Sequence, residues 1–541
     1  MPVIVDGMPM DDARHMIYHE IQQCERHILS LRNQLNAYTP IATLPPEILL
    51  QIFTTLTEAG GQVDSMECIH VTHVCQGWRS ISLDAPALWN KLSSNNLHWT
   101  MAMLERSKTA PLTVFMNPMS YGVAIPILTH LSRIRSLTIN NWSAGELQKL
   151  HDFIEDNLIT APQLEGLSLT GRVKSSWSLP STTFQQTDRL YDLFIHNVHT
   201  NWSHSSLFRN LTRLRAVTNV PGDQPTWREL ITTLNQMPTL QYLLLDAMLP
   251  IVPFDATVDV VFAYMPNLEV VIFRDLPSMD AVVTFLNQVK LTPDLKIFNI
   301  VDLNGHPNGQ EFRELYRAVN RSIPGLCSRA RYMDILHHEG VGHPSRDKYL
   351  IDCFMTLPEG LYEEQAYAYY ETNPPDIGLE LPYSPEADMT LVVVNALDIL
   401  NLSHITHLRI QDHIGHSELL ALLQGLPELR VIRVYRRATV HFVRALSTTQ
   451  PGGDREGTLT LPNLAEIHIC GDPGRGVRRK DGLPTHGTWK DLKIFLKQRQ
   501  LWRAEIHQLQ IQNCRNISKK MVDGLRKCVG DLRWDGIRTE Q

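Results

Sequence analysis

The chain has 541 residues, 43% hydrophobic and 20% charged, with a formal net charge of −7. That length calls for two to four domains or one extended repeat array, and the composition is that of a soluble globular protein. The small acidic excess argues against general nucleic-acid affinity, which needs a basic surface, and no apolar run reaches the roughly 18 residues of a membrane span.

The opening MPVIVDGMPMDDAR lacks the basic start and apolar core of a signal peptide. Without a secretory signal, the Asn-x-Ser/Thr sequons at Asn141, Asn201 and Asn210 carry no weight. The eight cysteines are scattered, mostly among apolar neighbours, which reads as free thiols in a reducing compartment. The expected location is the cytoplasm or the nucleus.

Residues 11–39 read as an N-terminal amphipathic helix. Ile17, Ile21, Cys24, Ile28, Leu31 and Leu35 alternate steps of four and three, a heptad stripe with Glu20, Gln22, Arg26 and Arg32 outside it. Such a stripe either pairs two copies as a coiled coil or packs on the segment that follows. Tyr38-Thr39-Pro40 ends the helix.

Residues 40–92 read as three short helices. Leu44-Pro45-Pro46-Glu47 is a helix start, with Thr43 placed to cap and proline tolerated in the first turn. Ile48, Leu49, Ile52, Phe53 and Leu56 follow at helical spacing on one broad face. A second stretch carries Ile69, Val71 and Val74, and a third Cys75, Trp78, Ile81 and Leu83, before a Pro86 turn and Leu88-Trp89. This unit has too few apolar residues to stand alone and needs a partner surface.

The order LPxEIL–xIF, a spacer from Thr57 to Glu67, V-C-x-x-W-R and a closing P-x-L-W resembles an F-box, in the variant common in fungal proteins. The resemblance covers about a tenth of the chain. It implies docking onto the Skp adaptor of a cullin–RING ubiquitin ligase. The residues it points to for adaptor contact are Leu44, Pro45, Pro46, Ile48, Leu49, Ile52, Phe53, Val74, Cys75 and Trp78.

From residue 105 to 530 another pattern takes over. Leu112, Val114 and Met116 alternate as in a strand. Leu-x-x-Leu-x-Leu, or a variant, then recurs at Ile134/Leu137/Ile139, Leu164/Leu167/Leu169, Leu190/Leu193/Ile195, Leu240/Leu243/Leu245, Leu268/Val271/Phe273 and Leu295/Phe298/Ile300. It resumes at Ile405/Leu408/Ile410, Leu429/Ile432/Val434 and Leu464/Ile467/Ile469, with Leu509/Ile511 a degenerate last copy and Leu214/Val217 a weak one. Helical stretches such as TWRELITTLNQM lie between the strands. The period is close to the leucine-rich repeat's, roughly 20–29 residues, in which stacked strand–turn–helix units bury a continuous core. The expected fold is therefore α/β: an N-terminal helix, an F-box three-helix domain, then a leucine-rich-repeat-like solenoid.

Residues 301–389 break the period and read mostly as an irregular insertion, with YMDIL and MTLVVV as candidate strands. In HHEGVGH, His337, His338 and His343 lack the zincin spacing. Cys68, His70, His73 and Cys75 lie close in sequence, but one helix cannot aim all of them at one ion. No metal site, cofactor loop or catalytic triad is expected, and the run Arg475–Lys480 reads as a solvated loop or a nuclear-import signal.

These features suggest a substrate-recognition subunit of a Skp–cullin–F-box ligase, doing no chemistry itself and acting by proximity. The alternatives are a repeat scaffold that binds the adaptor without ubiquitin transfer, and a hydrolase hidden in 301–389. The expected partners are a Skp-type adaptor, a cullin and an unknown target protein, with no membrane and no nucleic acid. In a Leu-x-x-Leu-x-Leu strand the intervening side chains point away from the core. In the later copies these are His407, Arg409, Arg433, Tyr435, Glu466 and His468, which would offer arginines to an acidic or phosphorylated target.

Overall fold

A computed structural model describes residues 9–536 apart from 60–66, 94–95, 119–120, 173–177, 203–205, 221, 254–260, 304–308, 339–347, 356–374, 383–394, 412–413, 436–437, 449–460, 472–483 and 515–516. The protein is mixed α/β, with helices at the N-terminus followed by a large strand-rich region. It divides into two compact units. One holds residues 1–193 and 198–200, the other residues 194–197 and 201–541. The division falls inside 105–530, which the repeat pattern alone treats as one domain.

In the first unit, α1 (Met10–Ala37) is a 28-residue helix with no buried residue. A short 3-10 turn, Pro40–Thr43, leads to α2 (Pro46–Ala59). Thr43 does not cap α2: its hydroxyl donates to the Pro40 carbonyl, 2.7 Å away. Pro45 supplies the carbonyl that receives the first helical bonds, from the amides of Ile48 and Leu49. The helices α3 (Glu67–Thr72) and α4 (Gln76–Leu83) follow, then the 3-10 turn Pro86–Trp89.

The core of these helices is small. Leu49, Phe53, Cys68, Val71, Leu88 and Trp89 are buried, and the Phe53 and Trp78 rings meet at 4.7 Å. The buried Trp89 indole donates to the Ser82 carbonyl at 2.7 Å. The chain then enters a sheet directly. The strand β1 (Lys91–Leu92) pairs in parallel with β2 (Leu112–Met116), which pairs with β3 (Ile134–Trp142), and that with β4 (Gly166–Gly171). Between β1 and β2, α5 (Leu97–Arg106) places the Arg106 guanidinium 4.4 Å over the Trp89 ring. The three-helix segment is thus not a separate bead: the short strand just after its last aromatic, Trp89, pairs into the sheet that follows.

In the second unit, parallel strands Arg213–Val217, Tyr242–Asp246, Val270–Leu276 and Ile297–Leu303 pair in chain order. Ile297–Leu303 then pairs in parallel with Ile377–Pro382. That strand pairs antiparallel with Lys348–Phe354, which pairs antiparallel with Tyr332–His338. Parallel order resumes from Tyr332–His338 through His407–Gln411, Val431–Tyr435, Glu466–Cys470 and Gln508–Gln512 to Asp531–Trp534.

The leucine pattern and the pairing register coincide. Leu243, Val271 and Phe298 are matched across three strands, as are Leu408, Ile432, Ile467 and Leu509 across four, and all are buried. A one-residue slip would turn each set to the other face, so burial fixes the register. The weak copy is shifted from its sequence reading. Leu211, Leu214 and Ala216 are the buried triplet, while Val217 is half-buried, because Leu214 aligns with Leu243 and Ala216 with Leu245.

The interval 301–389 is not simply irregular. It contributes the helix Gly309–Ser322 and the strands Tyr332–His338, Lys348–Phe354 and Ile377–Pro382. The YMDIL strand is present; MTLVVV lies outside the described residues. Lys348–Phe354 and Ile377–Pro382 escaped the sequence reading because they pair antiparallel with one another, and antiparallel neighbours need no leucine triplet. Gly378 sits where the parallel and antiparallel parts meet. A Cβ there would lie 2.8 Å from Pro375 and 2.9 Å from the Asn299 side chain, so only glycine fits.

Candidate functional site

Two surfaces carry the candidate residues. The first is α2 with the start of α4. Residues 49 and 53 share one helical stripe, and 48, 52 and 56 the next. Leu49 and Phe53 turn inward and are 3% and 0% exposed, which makes them core rather than contact residues. Ile48 is 40% exposed and Leu56 54%, with Ile52 half-buried between them. Pro45, Pro46 and Val74 are exposed; Leu44, Cys75 and Trp78 are half-buried. Ile41, in the 3-10 turn before α2, is also 40% exposed. An uncovered apolar strip on so small a unit is the mark of a docking face.

Cys75 has a structural task. It is the N-cap of α4, and its sulfur accepts a hydrogen bond from the Trp78 amide at 3.4 Å. Cys68 is buried in α3, whereas His70 and His73 are exposed. His337 and His338 end the strand Tyr332–His338; His343 and Arg475–Lys480 lie outside the described residues.

The second surface is the outward row of the later strands. Asp352, Asp334, Arg409, Arg433, His468, Gln510 and Arg533 are successive cross-strand partners. Arg409 and Arg433 do lie side by side, as their spacing predicts. But Arg409 is 7% exposed and its Nη2 pairs with Asp334 Oδ2 at 2.8 Å. The sequence pattern sets it facing a target. A buried guanidinium requires a counter-charge, and Asp334 supplies it from a strand without the leucine pattern. His468 is also buried, with Nε2 3.4 Å from Glu466 Oε2. Burial, and then the nearby Arg433 charge, push its pKa below the ordinary value, so its imidazole is held neutral. His407 is likewise lowered, chiefly by burial, and its ring lies 4.6 Å from Tyr332. Burial raises the Tyr435 phenol. His407, Arg433, Tyr435 and Glu466 are half-buried and reach the surface.

Sequence reasoning missed Asp334 and Asp352. Only the cross-strand register reveals them, because their strands interrupt the repeat. No group of histidine, cysteine and carboxylate side chains suited to a metal ion occurs among the described residues. No described helix is long and apolar enough to cross a membrane.

The family model for the F-box-like domain matches residues 41–95. That span runs from Ile41, through the exposed strip on α2, past β1. No curated protein matches the chain. Residues 41–95 are therefore an F-box-like domain, a kind that typically binds Skp1-type adaptors.

Proposed function

We propose that the protein is a substrate-recognition subunit of a Skp–cullin–F-box ubiquitin ligase. The F-box-like match at residues 41–95 carries this reading, supported by the apolar strip of Ile48, Ile52 and Leu56 left uncovered on that domain. The strip would seat a Skp-type adaptor, which in turn links to a cullin. The strand-rich region, which we read as a leucine-rich-repeat-like solenoid, would hold the target. The protein performs no reaction on this reading; it raises the effective concentration of target near the ubiquitin-charged enzyme. The contact residues we assign to the target are His407, Arg433, Tyr435 and Glu466, with Arg409 and His468 shaping the face beneath them.

The test is affinity capture of the full chain under proteasome inhibition, followed by mass spectrometry. A Skp-type adaptor and a cullin should co-purify with the wild type. Leu44→Ala with Pro45→Ala should lose both while keeping other partners. Capture of the adaptor without any cullin would favour a scaffold that transfers no ubiquitin. Undiminished adaptor capture by the double variant would refute the assignment. In the same experiment Arg433→Glu with Tyr435→Ala should lose the target and retain the adaptor.

A further inference from the structure

Among the described residues, nothing covers the apolar stripe on α1. Ile17, Ile21, Ile28, Leu31 and Leu35 are 42%, 46%, 48%, 50% and 71% exposed, and Cys24 is exposed among them. The helix meets the F-box-like domain with another face. Asn33 donates to the Gln76 side chain, and Arg26, Leu29, Ser30 and Ala37 line a shallow cleft with them. The stripe is thus turned away from this contact. A heptad stripe left exposed along a 28-residue helix calls for a second helix.

We propose that α1 pairs with α1 of a second copy of this chain, antiparallel. The charges around the stripe decide the direction. With Ile17, Cys24 and Leu31 at heptad position d and Ile21, Ile28 and Leu35 at a, the flanking positions are Asp11, Tyr18, Glu25 and Arg32 at e and Glu20, His27 and Gln34 at g. A parallel in-register pair sets g against e five residues on. It would bring Glu20 against Glu25 and His27 against Arg32 of the second copy. An antiparallel pair sets e against e and g against g. Seating Ile21 on the second copy's Cys24 and Ile17 on its Ile28 brings Asp11 to its Arg32 and Glu20 to its His27, with no pair of like charges. In the end layer Arg14 lays its aliphatic stem over Leu31 and keeps its head in water. The two F-box-like domains would then sit at opposite ends of a helix pair about 40 Å long, since each residue adds about 1.5 Å. On the ligase reading above, one assembly would present two adaptor sites facing apart.

Sedimentation of the full-length chain tests the pairing independently of any adaptor. The wild type should run at twice its 61.7 kDa mass. Ile21→Asp with Ile28→Asp should run as the single chain, with an unchanged circular dichroism spectrum, because both side chains are exposed. Arg32→Glu should weaken the dimer roughly three- to tenfold, since two surface ion pairs become repulsive. Adding Asp11→Lys to that variant should restore it, because only the antiparallel arrangement opposes residues 11 and 32. A wild type that sediments as one chain, or an Ile21→Asp/Ile28→Asp variant that remains dimeric, would overturn the proposal. A dimer that Asp11→Lys does not rescue would overturn the antiparallel direction.

Discussion

The helix α2 and the outward row of the later strands both present candidate binding residues at regular spacing, but they treat them in opposite ways. On α2 the inner stripe, Leu49 and Phe53, is buried while Ile48 and Leu56 remain in water. On the sheet the charged row folds in on itself: Asp334 and Arg409 are 4% and 7% exposed and bonded to one another. An apolar group left outside has no compensation within the chain, so its exposure points to a partner. A charged group can be satisfied by a neighbour, so its position on an outward face points to nothing until its partners are known. On the function proposed above, an adaptor face is sought from exposure and a target face only in what remains after internal pairing.

The largest expected effect separates core from contact on α2. Phe53→Ala removes a fully buried ring that packs on Trp78 and should cost about 3–5 kcal/mol of stability. Ile48→Ala should leave the melting temperature nearly unchanged yet weaken adaptor capture by on the order of 2 kcal/mol. Equal losses of stability in the two variants, followed by denaturant titration, would erase the distinction between the stripes.

On the sheet, Arg409→Ala should cost about 3–5 kcal/mol, because it removes the guanidinium bonded to the buried Asp334 carboxylate. Arg433→Ala, at a half-buried position, should stay within about 0.5–1 kcal/mol. If Arg409→Ala instead lost target binding at unchanged stability, the ion pair would belong to the recognition face after all.

The same burial gives the later strands a pH response. His407 and His468 both have pKa values lowered from 6.5, with burial the first cause. The folded state therefore binds fewer protons than the unfolded one below that value, and the stability these groups contribute, present above pH 6.5, falls as pH drops through their folded pKa values. A urea midpoint followed downward from neutral pH should decline, and His468→Gln should flatten the decline. A midpoint that rises on acidification would reverse the assignment.

Much of this was legible in the chain. The leucine triplets announce their strands because parallel neighbours must share one buried register, so Leu243, Val271 and Phe298 recur at matching positions. The F-box-like segment was legible because its anchors are close in sequence. Asp334 was not, since its value depends on Arg409, 75 residues away, meeting it across a strand boundary. The inward and outward stripes of α2 were not separable either. Ile48, Leu49, Ile52 and Phe53 are equally apolar, and only packing in the fold, such as the Trp78 ring against Phe53, decides which of them are covered.

The smallest expected effect concerns Cys75, which the sequence pattern places among the adaptor contacts. Its sulfur caps α4 through the Trp78 amide, and the residue is half-buried. An N-cap needs an acceptor on a short side chain, and serine meets that need better than cysteine does. Cys75→Ser should then hold or raise stability by a few tenths of a kcal/mol, and Cys75→Ala should lower it by about 0.5–1 kcal/mol. Neither change should alter adaptor affinity beyond what the fraction folded explains. Calorimetric titration of both variants with a Skp-type adaptor decides the point. Weaker binding by the serine variant, at full stability, would mean that the thiol touches the adaptor and that the half-buried side of α4 belongs to the docking face alongside Ile48.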